Sequence, residues 1–307
     1  MDYKTLIDDD LQAFLQQMED RNPDGSSDLS VEEKRRLYDA QCRDFSHGYP
    51  DGVTSETLDA DGVPVRVYLA GHPTRTVLFF HGGGFVFGGL DSHDDICAEL
   101  CAQTGYRIVA VDYRLAPEHP HPAAFDDGWT AAQWAARTFS DPVVLVGDSA
   151  GANLAAAVAH HARGQLNCTW GQVLIYPWLG DETDAGSRVE HANAPILTRN
   201  DLLAFRDARL TGPEPQNDPT FAPLQDSDFS GLPRTVIFSA EFDPLRDDAR
   251  DYYDRLQHAG VQVHWIDEPG LVHGYVRARH AATRARDSFE RISVAIEALG
   301  QDIWPWD

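Results

Sequence analysis

A chain of 307 residues, 42% hydrophobic and 10% aromatic, can bury a sizeable core, which excludes an intrinsically disordered protein. Its 49 acidic residues against 25 basic ones give a formal charge of −24, and only Lys4 and Lys34 are lysines. Such a field repels phosphate backbones and anionic bilayers, so the composition argues against a nucleic-acid or membrane partner. The surplus reads either as adaptation to salt or as a bias toward arginine codons with ordinary solubility charge.

The N-terminus has no basic segment followed by an apolar one, and no uninterrupted apolar stretch approaches membrane-spanning length, which points to a cytoplasmic protein. Cys42, Cys97, Cys101 and Cys168 are too few and too irregular for a disulfide framework or a zinc site, so no metal is expected. Residues 5–21 read as an amphipathic helix, with Leu11, Phe14, Leu15 and Met18 on one face. A loop from Arg21 to Ser27 leads to a second helix from Ser30 to about Arg43, opened by a Ser30-x-x-Glu33 capping box. The period then changes to two. Residues 53–58 and 63–69 form an antiparallel hairpin across Asp61-Gly62.

From Thr76 onward, apolar runs alternate with helical segments, the pattern of a mostly parallel sheet with helices on both faces. Strands are expected at 76–81, 107–113, 142–147, 172–177, 234–240 and 261–267, giving eight with the hairpin. Helices are expected at about 92–104, 122–138, 150–163, 246–259 and 280–299. The long segment 179–230 carries a further helix at 199–210, whose Leu202, Leu203 and Phe205 can pack, so it reads as a lid.

Three stretches carry chemistry. Val143-Val-Leu-Val146 breaks into Gly147-Asp-Ser149-Ala-Gly151 and then into a small-residue helix, a strand-to-helix elbow that lifts Ser149 above the sheet. The amide of Ala150 opens that helix, where developing negative charge is favoured. His81-Gly82-Gly83-Gly84-Phe85 follows an apolar strand, and its glycines let backbone amides turn toward an oxyanion. A serine needs a base and the base an orienting carboxylate. The loops after the last two strands offer His273 for the first and Asp243, Glu241 or Asp247 for the second. Asp243, followed by Pro244, is favoured, because Asp247 begins the next helix.

These motifs, with Asp112-Tyr-Arg-Leu-Ala-Pro-Glu118, Asp243-Pro-Leu-Arg-Asp247 and His273-Gly274, resemble the hormone-sensitive-lipase-like family of α/β-hydrolases, the bacterial family IV carboxylesterases. The resemblance runs from about residue 53 to the end, and the helical N-terminus is similar to the family's cap. It implies an α/β-hydrolase fold with a helical cap: residues 1–47 and 179–215 as cap, 48–178 and 216–307 as core. It implies Ser149 as nucleophile, His273 as base, Asp243 as acid, and the amides of Gly83, Gly84 and Ala150 as oxyanion hole. Residues 112–125, Arg114 and Glu118 among them, would brace the site. Tyr275 stands where the family commonly has Phe or Leu, and Asp248 where it commonly has Glu.

The reading is a cofactor-free serine carboxylesterase acting on small esters of short acyl chain, with Phe85, Phe87 and Trp178 flanking the entrance. Pairing of two copies through the edge strand near 261–267 is a family habit the resemblance carries over. An acyltransferase or amidase would use the same three side chains, and a silent binding protein would be expected to have lost one of them. A true lipase is disfavoured by the polar, acidic character of 179–230.

Overall fold

The computed structural model describes residues 1–21, 29–166, 169–180 and 183–306. Beyond Arg21, the loop expected up to Ser27 lies outside the described residues, as do Cys168 and residues 181–182. An eight-stranded sheet organises the rest. Its strands are β1 (Val53–Ala60), β2 (Val63–Ala70), β3 (Thr76–Phe80), β4 (Arg107–Val111), β5 (Val143–Asp148), β6 (Thr169–Ile175), β7 (Arg234–Phe242) and β8 (Val263–Val272). They lie in the order β1-β2-β4-β3-β5-β6-β7-β8. The β1–β2 and β2–β4 pairs are antiparallel and all others parallel. The β1–β2 hairpin turns across Asp61 and Gly62, both at positive φ, as a two-residue turn between right-twisted strands requires.

Side chains alternate across the parallel strands and sort the core into two layers. Val77, Phe79, Val144, Val146, Val173 and Ile175 face one layer, which α3 (Asp94–Thr104) and α9 (Thr283–Gly300) close. Leu78, Phe80, Leu145, Leu174 and Ile237 face the other, closed by α4 (Ala123–Thr138), α5 (Ala150–Ala162) and α8 (Arg246–His258). Helix α5 is buried on almost every side from Ala150 to His160, which is why it is built largely of alanine.

Additional helices lie outside these layers. Helix α1 (Asp9–Asp20) buries Leu11 and Phe14, and α2 (Val31–Asp44) opens on the capping box read from Ser30 and Glu33. Arg35 of α2 bonds the carbonyls of Val86 and Ala116 and the carboxylate of Glu118, which fastens the helix over the loop after β3. In the long segment, α7 (Arg199–Arg209) starts at a second capping box, Thr198 with Asp201. A one-turn helix, α6 (Ser187–Glu190), is an addition to the expected elements. The largest correction is β8, which runs through Pro269 and Gly270 to Val272 although Pro-Gly reads as a loop. At a sheet edge the missing N–H of proline costs no ladder bond, and a register shift opposite Ala240–Phe242 absorbs the irregularity. Among the described residues no helix is long and apolar enough to cross a membrane.

Candidate active site

Ser149 ends β5 and begins α5 with φ 55°, ψ −118°, a backbone state that costs on the order of 1–3 kcal/mol for a residue with a side chain. Two close approaches hold it there. A Cβ on Gly147 would lie 2.3 Å from the carbonyl oxygen of Gly151, and one on Gly151 would lie 2.0 Å from that of Phe80. Only glycine fits either position. A serine before a helix ordinarily caps it, but Ser149 makes no side-chain cap bond. Its Oγ lies instead 2.9 Å from His273 Nε2.

His273 follows β8 directly, and its Nδ1 is 2.7 Å from Asp243 Oδ2, the first residue after β7. Asp243 Oδ1 accepts the Leu245 N–H at 2.8 Å, and the carboxylate is fully buried. The competing carboxylates are engaged elsewhere: Glu241 accepts the Gly270 N–H, and Asp247 accepts the Ser187 N–H and pairs with Arg250. The extension of β7 and β8 beyond their expected ends produces this sorting, because it places Glu241 within a strand and Asp243 at its tip. The chain Ser149 Oγ–H to Nε2, Nδ1–H to carboxylate can take a proton from the serine and stabilise the imidazolium formed.

The glycines after β3 form the second half of the site. Gly83 (φ 122°) and Gly84 (φ 64°) hold backbone states that favour glycine, and the turn is closed by the Val86 and Phe87 amides donating to the Gly83 carbonyl. Among the described residues the amides of Gly83 and Gly84 donate to no protein acceptor, and that of Ala150 is the first of its helix. Asp148 ties the two halves together: its Oδ1 accepts the Gly82 N–H at 2.8 Å, and its carboxylate lies 3.2 Å from His93 Nε2. Burial acts to raise the Asp148 pKa, yet its net shift is downward, because His93, Arg277 and the Gly82 amide favour the anion. His81 is packed face to face on Tyr113, and burial pushes its pKa down to about 3, so it sits there as a neutral ring.

The segment 112–125 braces this loop. The Tyr113 hydroxyl donates to the His81 carbonyl at 2.6 Å, the Ala116 amide to Phe85 O at 2.8 Å, and Arg114 holds Asp127 with two nitrogens. Asp248 accepts the amides of Leu179 and Gly180 and pairs with Arg188, while the Tyr275 hydroxyl accepts from Ser288. The entrance differs from the expectation. Phe85 is only 2% exposed and Trp178 6%, and the Arg209 guanidinium of α7 lies 3.7 Å over the Phe85 ring. A left-handed backbone at Phe85 (φ 63°) turns its ring inward, so Phe85 and Trp178 are packing residues beneath α7. Phe87 alone of the three stays half-exposed, between Tyr38 of α2 (5.8 Å, stacked) and Phe205 of α7 (5.6 Å, edge-on). Sequence reading missed Tyr38 and Arg209, which no local motif marks, and took Phe205 only as a packing residue of the lid.

This fold and elbow define an α/β-hydrolase, and a family model for the alpha/beta hydrolase fold matches residues 77–277. The chain is 40% identical over 241 residues to the carboxylesterase NlhH of Mycobacterium tuberculosis, covering 73% of this chain and 75% of that one. It is 31% identical to the ethyl acetate hydrolase of Pseudomonas putida, covering 97% and 99%. Among solved structures, a hyperthermophilic esterase from Pyrobaculum calidifontis superposes with a TM-score of 0.85 at 32% identity, covering 96% of this chain and 99% of that one. An esterase of the bacterial hormone-sensitive lipase family superposes with a TM-score of 0.87 at 26% identity, covering 95% and 98%. The chain belongs to the hormone-sensitive-lipase-like, or family IV, branch of the α/β-hydrolases, and is a carboxylic ester hydrolase of the serine-hydrolase type with small-molecule ester substrates.

Proposed function

We propose that the protein hydrolyses short-chain acyl esters with Ser149 as nucleophile, His273 as general base and acid, and Asp243 as the carboxylate that orients it. The observation that carries this is the unbroken pair of contacts from Ser149 Oγ to His273 to Asp243, at 2.9 and 2.7 Å. Ser149 Oγ attacks the carbonyl carbon as its proton passes to Nε2, and the amides of Gly83, Gly84 and Ala150 receive the oxyanion. The imidazolium then protonates the leaving alkoxide. Water, deprotonated by the same nitrogen, releases the acid and restores the serine. The chemistry needs no group beyond these side chains and amides.

Residues 1–47 and 179–215 are proposed as one cap over this site, supported by α2 and α7 meeting Phe87 from two sides. A cap of two pieces encloses a finite space. Each methylene that fits gains up to about 0.8 kcal/mol from burial. One that does not fit forces the cap aside at about 1–3 kcal/mol. Acetyl to hexanoyl esters are therefore the preferred range, with a steep fall by decanoyl and no rate jump at the micellar threshold. The ethyl acetate hydrolase among the relatives supports the same range.

Two finer statements belong to the same proposal. Pairing of two copies along β8 is supported by its place at the sheet edge and the part-exposure of Val263 to Asp267. Cytoplasmic residence is supported by free, buried thiols at Cys42, Cys97 and Cys101. The test of the mechanism labels the protein with a fluorophosphonate and locates the adduct, then runs the acyl series. An adduct on Ser149 and an optimum at or below hexanoyl are expected; an adduct elsewhere, or an optimum at dodecanoyl, overturns the reading.

A further inference from the structure

Arg277 sits four residues after His273, in the 3-10 turn Tyr275–Ala278, and it is half-buried. Its Nη1 donates to the Ser92 carbonyl at 3.1 Å and its Nη2 to the Tyr38 hydroxyl at 3.3 Å. Among the described residues no carboxylate lies within 4.0 Å of it. Other interior guanidinia are satisfied differently: Arg188 pairs with Asp248, and Arg279, two residues along, pairs with both Asp95 and Glu99. A guanidinium carries five N–H donors in a planar fork matched to a carboxylate, and Arg277 spends two of them on neutral oxygens. The nearby acids Asp148 and Asp39 act on it only through space, and Asp148 is already committed to the Gly82 amide and His93.

The surroundings link this cation to the glycine turn. Tyr38 stacks on Phe87, and Phe87 stands on the Gly83 carbonyl through its own N–H at 2.8 Å. One aromatic ring therefore separates the Tyr38–Arg277 pair from the glycine turn. Tyr38, Phe87 and Arg277 are each part-exposed, and they lie on three different elements, α2, the glycine turn and the loop after His273. A Phe87 ring followed by a hydroxyl and a guanidinium that lies 5.5 Å over the Tyr38 ring, with no carboxylate partner among the described residues, is not what a purely aliphatic chain requires.

We propose that Arg277, with the Tyr38 hydroxyl, is a specificity subsite that takes the carboxylate of an ester substrate bearing one acid group a short chain away from the scissile carbonyl. A carboxylate there completes the guanidinium with a charge-assisted bond and receives the Tyr38 O–H as well. The long-range repulsion from the −24 surface is screened over about 8 Å at physiological salt, so it slows approach more than it weakens this close contact. The inference rests on Ser149 being the nucleophile.

The experiment compares monoethyl succinate, glutarate and adipate with ethyl butyrate, valerate and caproate, and 3-acetoxypropionate and 4-acetoxybutyrate with propyl and butyl acetate, by pH-stat. The first set presents the acid on the acyl side, the second on the alcohol side. In one set, kcat/KM for the acid-bearing ester relative to its neutral partner should fall about tenfold or more in Arg277→Gln, and less in Arg277→Lys and Tyr38→Phe. Proportional losses on charged and neutral esters alike, or an unchanged ratio in both sets, overturn it. A separate readout keeps the two readings apart: calorimetric binding of monoethyl glutarate and of 4-acetoxybutyrate to Ser149→Ala, with and without Arg277→Gln. Arg277-dependent binding in a Ser149→Ala variant that still hydrolyses these esters at the wild-type rate would sink the Ser149 reading and leave the subsite standing. Binding that ignores Arg277 sinks the subsite.

Discussion

At the scale of single residues, the proposal of Asp243 among three carboxylates rests on what each oxygen touches. Asp243 faces His273 and is closed off from solvent, whereas Glu241 spends its carboxylate on the Gly270 amide. Asp243→Asn presents an amide where the imidazole needs an acceptor, so it favours the wrong tautomer; a loss on the order of 10⁴ in kcat is expected. Glu241→Gln keeps an oxygen for Gly270 and should stay within a few-fold of wild type. Steady-state kinetics on both variants, with circular dichroism to confirm folding, would reassign the acid if the order were reversed. The proposed nucleophile and base were legible in the sequence because their motifs are local. The residues favour Asp243 as the acid, but they do not locate the end of β7, which is set by pairing with a β8 that hides behind Pro269-Gly270. Arg277 was invisible for a related reason: being unpaired is a property of its surroundings, and the sequence lists 25 basic residues without saying which find partners.

Between elements, the glycine turn and α7 meet at one point. A Cβ built on Gly84 would lie 2.4–2.8 Å from the Phe205 ring, and its φ of 64° is costly for any other residue. Gly84→Ala therefore has to move the turn or push α7 outward, and either displaces an amide proposed to receive the oxyanion. Loss of one such donor costs about 10²–10³ in kcat. Adding Phe205→Ala removes the collision and leaves the backbone strain, so a double-mutant comparison divides the effect between them. Partial recovery of kcat is expected; no recovery would assign the whole loss to φ and remove α7 from the account. Periodicity found nearly every strand and helix here, because the sheet faces alternate cleanly and the helices carry caps. What it could not supply was the way α2 and α7 converge on Phe87, or the inward turn of Phe85, since both depend on contacts between segments distant in the chain.

For the whole molecule, the surplus of acidic charge sets a stability question that local contacts do not answer. Exposed pairs such as Arg21–Asp44 and Arg250–Asp251 are worth about 0–1 kcal/mol each and weaken as salt is added. The interior pairs of Arg188 with Asp248 and Arg279 with Asp95 are shielded from solvent ions and change little. Against these stands a net charge of −24, whose mutual repulsion reaches across the molecule when the Debye length is about 30 Å at 0.01 M and is cut to about 3 Å at 1 M. Unfolding spreads those charges apart, so self-repulsion favours the unfolded chain most at low salt. If the acidic, lysine-poor surface is an adaptation to salt, Tm should climb steadily from 0.01 to 1 M NaCl, with most of the gain below 0.2 M where screening changes fastest. Measuring Tm over that series, beside the same series in sucrose to separate screening from general preferential exclusion, decides the matter: a curve flat or falling in NaCl means the surface pairs outweigh the repulsion and the composition reflects codon usage.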